Sequence, residues 1–241
     1  YGSYTKGYKA GLVPILESTT PVSPEKIDAF EVGYKLASRR VSFDAAAFYY
    51  DYKDLQVAAY VGTISLTRNA AESTIYGVDA QLTANVTDRF TVRAGAAYTH
   101  GRYDRFDGAI DYVQVLDPGS PQYGMFINPA VDAADNRMQR TPEFTGNLGL
   151  GYRQPIRWGE LAFDANLYAT SSFYFEPVNR FRQDGYELLN LRATWTSPSG
   201  NLSVSLYGNN VTDSEYRVEV LPGPFSIQPI YGEPAAAGIT A

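Results

Sequence analysis

Two stretches of the 241-residue chain concentrate side chains suited to recognition chemistry. The first, Gly101–Pro142, contains Arg102, Tyr103, Arg105, Phe106, Tyr123, Arg137 and Arg140. The second, Ser171–Gly185, contains Phe173, Tyr174, Arg180 and Arg182. A guanidinium group forms planar, bidentate hydrogen bonds with anions and stacks on rings. Tyrosine and phenylalanine add flat apolar faces. The combination suits an anionic or aromatic ligand, and these residues are the candidate ligand contacts. The first stretch is longer than a mere connector requires. The competing reading is an ordinary solvated loop, because loop composition alone is a weak site marker. If both stretches lean over one opening, they form a single mouth.

Other chemistry is sparse. There is no cysteine, which excludes disulfides, thiolate metal sites and a cysteine nucleophile. His100 is the single histidine, so an imidazole-rich metal centre has no ligands to draw on. A catalytic base at His100 would need an acidic partner within reach, and no matching pair is evident. Asp132-Ala-Ala-Asp-Asn136 lacks the alternating ligands and the glycine of a calcium loop. No phosphate loop, dinucleotide fingerprint or nucleophile elbow is present. No catalytic residue, metal or cofactor is therefore expected, and the chain reads as a non-enzyme. A net charge of -6 argues against nucleic acid as a partner.

The elements that must hold these loops are strands. From Tyr76 to Val86 one parity reads Tyr76, Val78, Ala80, Leu82, Ala84, Val86, and the other Gly77, Asp79, Gln81, Thr83, Asn85. Phe90–Tyr98, Phe144–Tyr152, Leu161–Leu167, Leu189–Trp195, Leu202–Leu206 and Phe30–Leu36 repeat the pattern. Period-2 alternation of this kind marks β-strands. The polar parity carries Glu31, Lys35, Asp79, Arg93, Glu143, Arg153, Glu160, Asp164 and Arg192, which suits a wet or plugged interior better than a dry core. The 20 Tyr and 12 Phe favour strands and membrane interfaces alike. No apolar run reaches the length of about 18 residues that a spanning helix needs.

Two features separate a membrane wall from a soluble sandwich. Strands of about 10 residues cross a bilayer at a tilt, whereas sandwich strands run nearer 5 or 6. Connections also alternate, with short turns at Ser38–Arg40, Thr87–Arg89, Gln154–Trp158 and Ser197–Gly200. Long ones fall at Lys9–Lys26, Lys53–Ser73, Gly101–Pro142, Ser171–Gly185 and Asp213–Gln228. Long loops gathered at one end are the habit of outer-membrane barrels. Lys53–Asn69 reads as a tall hairpin extending the third and fourth strands.

Four segments resemble TonB-dependent outer-membrane receptors. Glu31-Val-Gly-Tyr-Lys35 is similar to that family's E-x-G-x-K strand, and Ala46–Gln56 to its aromatic strand leading into D-x-Q. Asn69-Ala-Ala with Tyr76-Gly-Val-Asp79 resembles the N-A…G-x-E element, with Asp in place of Glu. Asn209-Asn-Val-Thr-Asp213 with Tyr216 resembles N-L-T-D…Y. They stand in the family's order. The resemblance implies an all-β fold: an antiparallel transmembrane β-barrel with about ten strands present, the C-terminal part of a barrel of about 22. Residues 1–241 then form a receptor-like β-barrel segment whose plug domain is absent, and which lacks the family's aromatic-terminated last strand. The implied function is TonB-energised uptake of a scarce nutrient, a ferric siderophore foremost, in the outer membrane of a Gram-negative bacterium. The implied partners are that ligand, outer-membrane lipid, and TonB through the plug. Two alternatives stay open: a self-contained ten-stranded pore or hydrolase, and a soluble β-rich glycan-binding domain.

Overall fold

Successive side chains of an extended backbone point to opposite faces, so a period of 2 can bury or expose a whole face only within a sheet. The computed structural model describes residues 1–13, 21–61, 64–222 and 226–241, and among them ten strands form one antiparallel sheet. These are β1 (Gly2–Lys9), β2 (Glu25–Ala37), β3 (Val41–Val61), β4 (Ile64–Asn85) and β5 (Phe90–Arg105). After a long connection come β6 (Phe144–Ile156), β7 (Gly159–Thr170), β8 (Tyr186–Thr196), β9 (Ser203–Asn209) and β10 (Ala236–Thr240). Each pairs with the next in chain order. Seven strands, β2 and β4 to β9, fall where the alternation predicts them, and β3 and β4 form the tall hairpin, paired from Val41↔Ala84 to Val61↔Ile64. Residues 14–20, 62–63 and 223–225, parts of three expected long connections, lie outside the described residues.

Register carries each face across the sheet. One face runs through Tyr34, Ala45, Ala80, Ala96 and Gly146, and a row below it through Leu82, Ala94, Leu148, Leu167 and Leu189. Many of its large apolar side chains are exposed, among them Val32, Val78, Phe144, Phe163 and Leu206. The other face sets Lys35 opposite Asp44 and Asp164 opposite Arg192. Rings lie over glycines there: Tyr1 over Gly33, Phe48 over Gly77 and Tyr207 over Gly238, where any Cβ would collide. A ring covering a glycine restores the packing that the missing side chain forfeits.

The turns at one end are short and locally specified. Ser38 Oγ accepts from the Val41 N–H at 3.1 Å, and Thr87 Oγ1 accepts from the Phe90 N–H at 3.0 Å. Gly159 and Gly200 have φ of +127° and +74°.

The expected barrel is overturned. The ten-stranded sheet is open, with β1 and β10 as its two edges, and no sheet among the described residues closes on itself. Alternation and strand length specify strands and faces, but closure needs strand number, tilt and stagger to agree around a full circuit. Nothing in a strand's own pattern encodes that agreement.

Gly159 is the most constrained turn position, because an added Cβ would strike the Thr196 carbonyl besides entering a disfavoured φ region. Replacing Gly200, with open space around it, should cost about 1–2 kcal/mol from backbone conformation alone. Gly159→Ala should cost more than Gly200→Ala in denaturant unfolding of the chain; equal costs would refute this account.

Candidate functional site

The long connections are held by the tall hairpin. Gln56 Nε2 donates to the carbonyls of Ala10 and Ser23 at 3.0 Å each, and Asn69 Nδ2 donates to Ser23 and Asp54 carbonyls at 2.8 Å each. Val57 and Ala71 of the hairpin pack with Tyr103, Phe106, Ala109 and Ala133 as a buried cluster, with Met138 and Val178 against it. Tyr103 and Phe106 meet edge to face at 5.0 Å. Burying two aromatic side chains in this way contributes several kcal/mol, at about 25 cal/mol per Å² of apolar surface removed from water. The connection after β5 is thereby packed onto the hairpin.

Side chains then clasp three connections together. Among the described residues these are the segments after β5, β7 and β9, which carry short ribbons: Ala109–Ile110 with Ala130–Val131, Val113–Gln114 with Phe126–Ile127, Phe173–Tyr174 with Arg182–Gln183, and Arg217–Pro222 with Ile227–Tyr231. Arg180 donates from Nε and Nη2 to the two oxygens of buried Asp111, both at 2.6 Å. Asn179, at φ +62°, accepts from the Arg137 N–H at 3.0 Å and donates to the Arg137 carbonyl at 2.9 Å, as a strand neighbour would. Glu176 accepts from the N–H groups of Val178, Arg180 and Phe181 at 2.6, 2.5 and 2.9 Å. Arg140 joins all three connections. Its N–H donates to the Tyr174 carbonyl at 2.7 Å, its Nη1 to the Val218 carbonyl at 3.2 Å, and its Nη2 pairs with Glu219 at 2.5 Å. Arg217 ties the last two, donating to Gln183 Oε1 and to the Arg182 carbonyl.

The candidate ligand contacts distribute as follows. Arg137, Arg140, Phe173 and Tyr174 come together: the Arg137 guanidinium lies 5.7 Å from the Tyr174 ring centre and donates to the Ser172 carbonyl at 2.8 Å. Arg140 lies 5.5 Å from the ring of Phe175, which meets Phe173 edge to face. Arg180 is engaged by Asp111, and Arg182 by Asp184 at 3.4 Å. Arg102 donates to the Asp135 carbonyl at 2.5 Å, and Arg105 pairs with Glu72 at 2.7 Å. Tyr103 and Phe106 face the buried cluster, whereas Tyr123 is exposed near the tip of the first connection. Asp111, Glu176, Asn179, Gln183, Arg217 and Glu219 were not singled out as partners by the sequence pattern. Asn179 carries a local signal that could have found it, as a residue type that favours turns.

Two carboxyls are perturbed in opposite directions. The hydrogen bond from Arg180 holds Asp111 below its ordinary value. Burial pushes Glu176 up, against the pull of its three backbone donors. His100 stacks on Tyr76 at 4.8 Å, on the apolar face. Among the described residues, no group of three or more His, Cys, Asp or Glu is placed to hold a metal ion.

Residues 1–211 match the family described as TonB dependent receptor-like, beta-barrel, and the chain belongs to that family. It is similar in fold to the ferric yersiniabactin uptake receptor FyuA of Yersinia pestis, with 18% identity, a TM-score of 0.79, and coverage of 99% of this chain and 33% of that one. The siderophore receptor PiuA of Acinetobacter baumannii matches at 19% and 0.66, covering 90% and 28%. BauA, the ferric preacinetobactin receptor of the same organism, matches at 15% and 0.67, covering 99% and 32%. The chain thus spans about a third of the length of the structures it resembles. These relatives are receptors rather than enzymes.

The clasp should respond to pH from both sides. Asp111 stabilises the folded loops above the unfolded-state pKa of about 3.9, and its contribution is lost as pH falls through its lower folded value. Glu176 does the reverse: its raised folded pKa makes its contribution most favourable below about 4.3, and that contribution is lost as pH rises through the folded value. Hydrogen exchange of residues 171–185 at pH 3, 5 and 7 should therefore show acid loosening abolished by Asp111→Asn and the loss on raising pH diminished by Glu176→Gln. Profiles unchanged in both variants would refute the clasp.

Proposed function

We propose that the chain supplies a wall section and ligand-capturing loops of a TonB-dependent outer-membrane receptor that takes up a ferric siderophore. The carrying observation is the joining of three long connections into one cap at a single end of a two-faced sheet. An uptake receptor needs a recognition surface outside, an apolar surface toward lipid and a hydrophilic surface along the transport path. The exposed apolar face meets outer-membrane lipid in this reading. The opposite face, with Glu31, Asp79, Arg93, Asp164 and Arg192, lines the path. TonB acts through a plug domain that these residues do not include, and no covalent chemistry is involved. The family's receptors, several named for ferric siderophores, support the substrate class.

Within the cap, a guanidinium already fixed by a carboxylate still has spare N–H groups out of five. The Arg140 and Arg182 side chains remain about half exposed while so fixed, at 46% and 54%. Such donors are pre-organised, which lowers the entropy lost on binding an anionic ferric chelate. Phe173 and Tyr174 supply the adjoining rings. Tyr123 and Arg105 stand farther out as rim contacts, and Arg102, Arg137 and Arg180 position the cap.

In a whole receptor carrying this chain, Arg182→Ala should weaken ferric-siderophore binding about tenfold, or about 1.4 kcal/mol. Titration of iron-starved cells with ferric catecholate and ferric hydroxamate complexes measures this. Parent-like affinity in both Arg182→Ala and Tyr174→Ala would sink the ligand assignment. For the lipid contact, Leu150→Arg on the apolar face should cost about 2–4 kcal/mol if it lies near the bilayer midplane. Urea unfolding from lipid vesicles reads that cost, and a neutral result would remove lipid as the partner of this face.

A further inference from the structure

We infer that the short-turn margin of the apolar face binds the headgroups of anionic phospholipids, and so selects among the lipids of the leaflet it meets. The inference rests on the reading that the apolar face meets lipid, and adds a headgroup preference to it. The face ends in large rings. Register sets Phe90 opposite Tyr152 and Tyr152 opposite Phe163 in one row. The next row runs through Gln154, Leu161, Trp195 and Val204. The chain's two tryptophans, Trp158 and Trp195, both lie at this end. Trp195 donates from Nε1 to the Trp158 carbonyl at 3.0 Å, and Trp158, in the turn between β6 and β7, is 67% exposed. Rings with one polar tip settle where hydrocarbon gives way to headgroups. That fixes the depth of the residues beside them.

Arginines stand at that depth. Residues 38–40, 86–89 and 153–160 hold Arg39, Arg40, Arg89, Arg153 and Arg157 against Asp88 and Glu160. The chain as a whole has the opposite balance, with 26 acidic residues to 20 basic ones. Arg40 pairs with Asp88 at 3.4 Å, and Arg153 with Glu160 at 3.1 Å. Among the described residues Arg39, Arg89 and Arg157 have no carboxylate partner, and they fall one to each of three successive turns. Such turns lie about 10 Å apart, two strand spacings. Arg89 donates instead from Nη1 to Gln154 Oε1 at 3.2 Å, an oxygen that also accepts from the Tyr152 hydroxyl at 2.8 Å. Gln154 shares the apolar parity of Tyr152, so this neutral amide aims the guanidinium along the lipid margin without neutralising it. Most of its five N–H donors stay available.

Charge and geometry select the partner. A guanidinium binds a phosphate oxygen pair through parallel N–H groups. A zwitterionic headgroup also brings an ammonium ion, which three uncompensated guanidiniums repel. A phosphatidylglycerol headgroup brings negative charge alone. At the long-loop end of the same face the balance differs, because Lys6 pairs with Asp28 at 3.5 Å and Lys53 with Asp51 at 3.4 Å. The short turns of an outer-membrane wall face the periplasm, so the lipids concerned are those of the periplasmic leaflet. Each basic side chain beside an anionic surface strengthens association roughly fivefold, and salt screens the effect.

The test uses a whole receptor carrying this chain in phosphatidylcholine vesicles, with a trace of spin-labelled phosphatidylglycerol or spin-labelled phosphatidylcholine. Electron spin resonance measures the motionally restricted fraction of each probe. Phosphatidylglycerol is expected to be restricted in preference, by a margin that shrinks as salt is raised. Combining Arg39→Gln, Arg89→Gln and Arg157→Gln should reduce that preference at least twofold with circular dichroism unchanged. Arg157→Gln alone, which removes no bond within the protein, should remove part of it, and Lys35→Gln on the opposite face should leave it unaltered. Parent-like preference in either arginine variant would overturn the inference. So would a preference abolished by inorganic phosphate beyond the effect of sodium chloride at equal ionic strength, which marks a site for free anions. Restriction of neither probe would instead sink the lipid contact itself, so the two failures are distinguishable.

Discussion

Everything in this molecule hangs on an antiparallel hydrogen-bond ladder that joins each of the ten strands to the next, from Gly2↔Val32 to Ser205↔Thr240. Because each strand pairs with its successor, a shift of one residue at any junction would invert every side chain beyond it. Ala45, Ala80 and Ala96 would then change places with Asp44, Asp79 and Ala97, mixing charge into the apolar face. Register is thus enforced by the cost of misplacing charge, and the two faces exist only because it holds.

The same ladder explains why the cap can be irregular. The sheet satisfies most backbone donors and acceptors locally, and the long connections need only solve their own polar requirements. They do so with side chains that imitate backbone. Asn179 completes a strand-like pair with Arg137, and Glu176 gathers three N–H groups that have no strand to join. Left-handed residues recur where the chain must reverse, at Asp135, Arg140 and Asn179. Asn and Asp tolerate that region because their short polar side chains bond locally, whereas Arg140 is held there by contacts with two other connections.

Legibility in the sequence followed the range of the interaction. Strand positions were legible because period 2 is a local signal, repeated in segments such as Tyr76–Val86. The tall hairpin was legible from the run around Lys53–Asn69. Closure was not, since it depends on whether β1 and β10 meet, a relation between residues far apart. The arginines of the cap were visible as a class, but their partners were not. Nothing near Arg180 points to Asp111, and nothing near Arg140 points to Glu219. Tyr103 and Phe106 look like recognition residues in a list of loop aromatics, yet the hairpin's Val57 and Ala71 give them a buried surface to cover.

Arg140 reaches the Val218 carbonyl across 78 residues, and Arg180 reaches Asp111 across 69. Loop-closure entropy makes such distant contacts slow to form, whereas adjacent hairpins zip quickly. The cap is therefore the last unit to assemble, after the strands on either side have fixed the endpoints of its loops. It is correspondingly the first to open, a sub-global unit whose excursions leave the ladder intact. Opening and reclosing can then proceed on a faster clock than unfolding of the wall, a separation of timescales built in by chain topology alone.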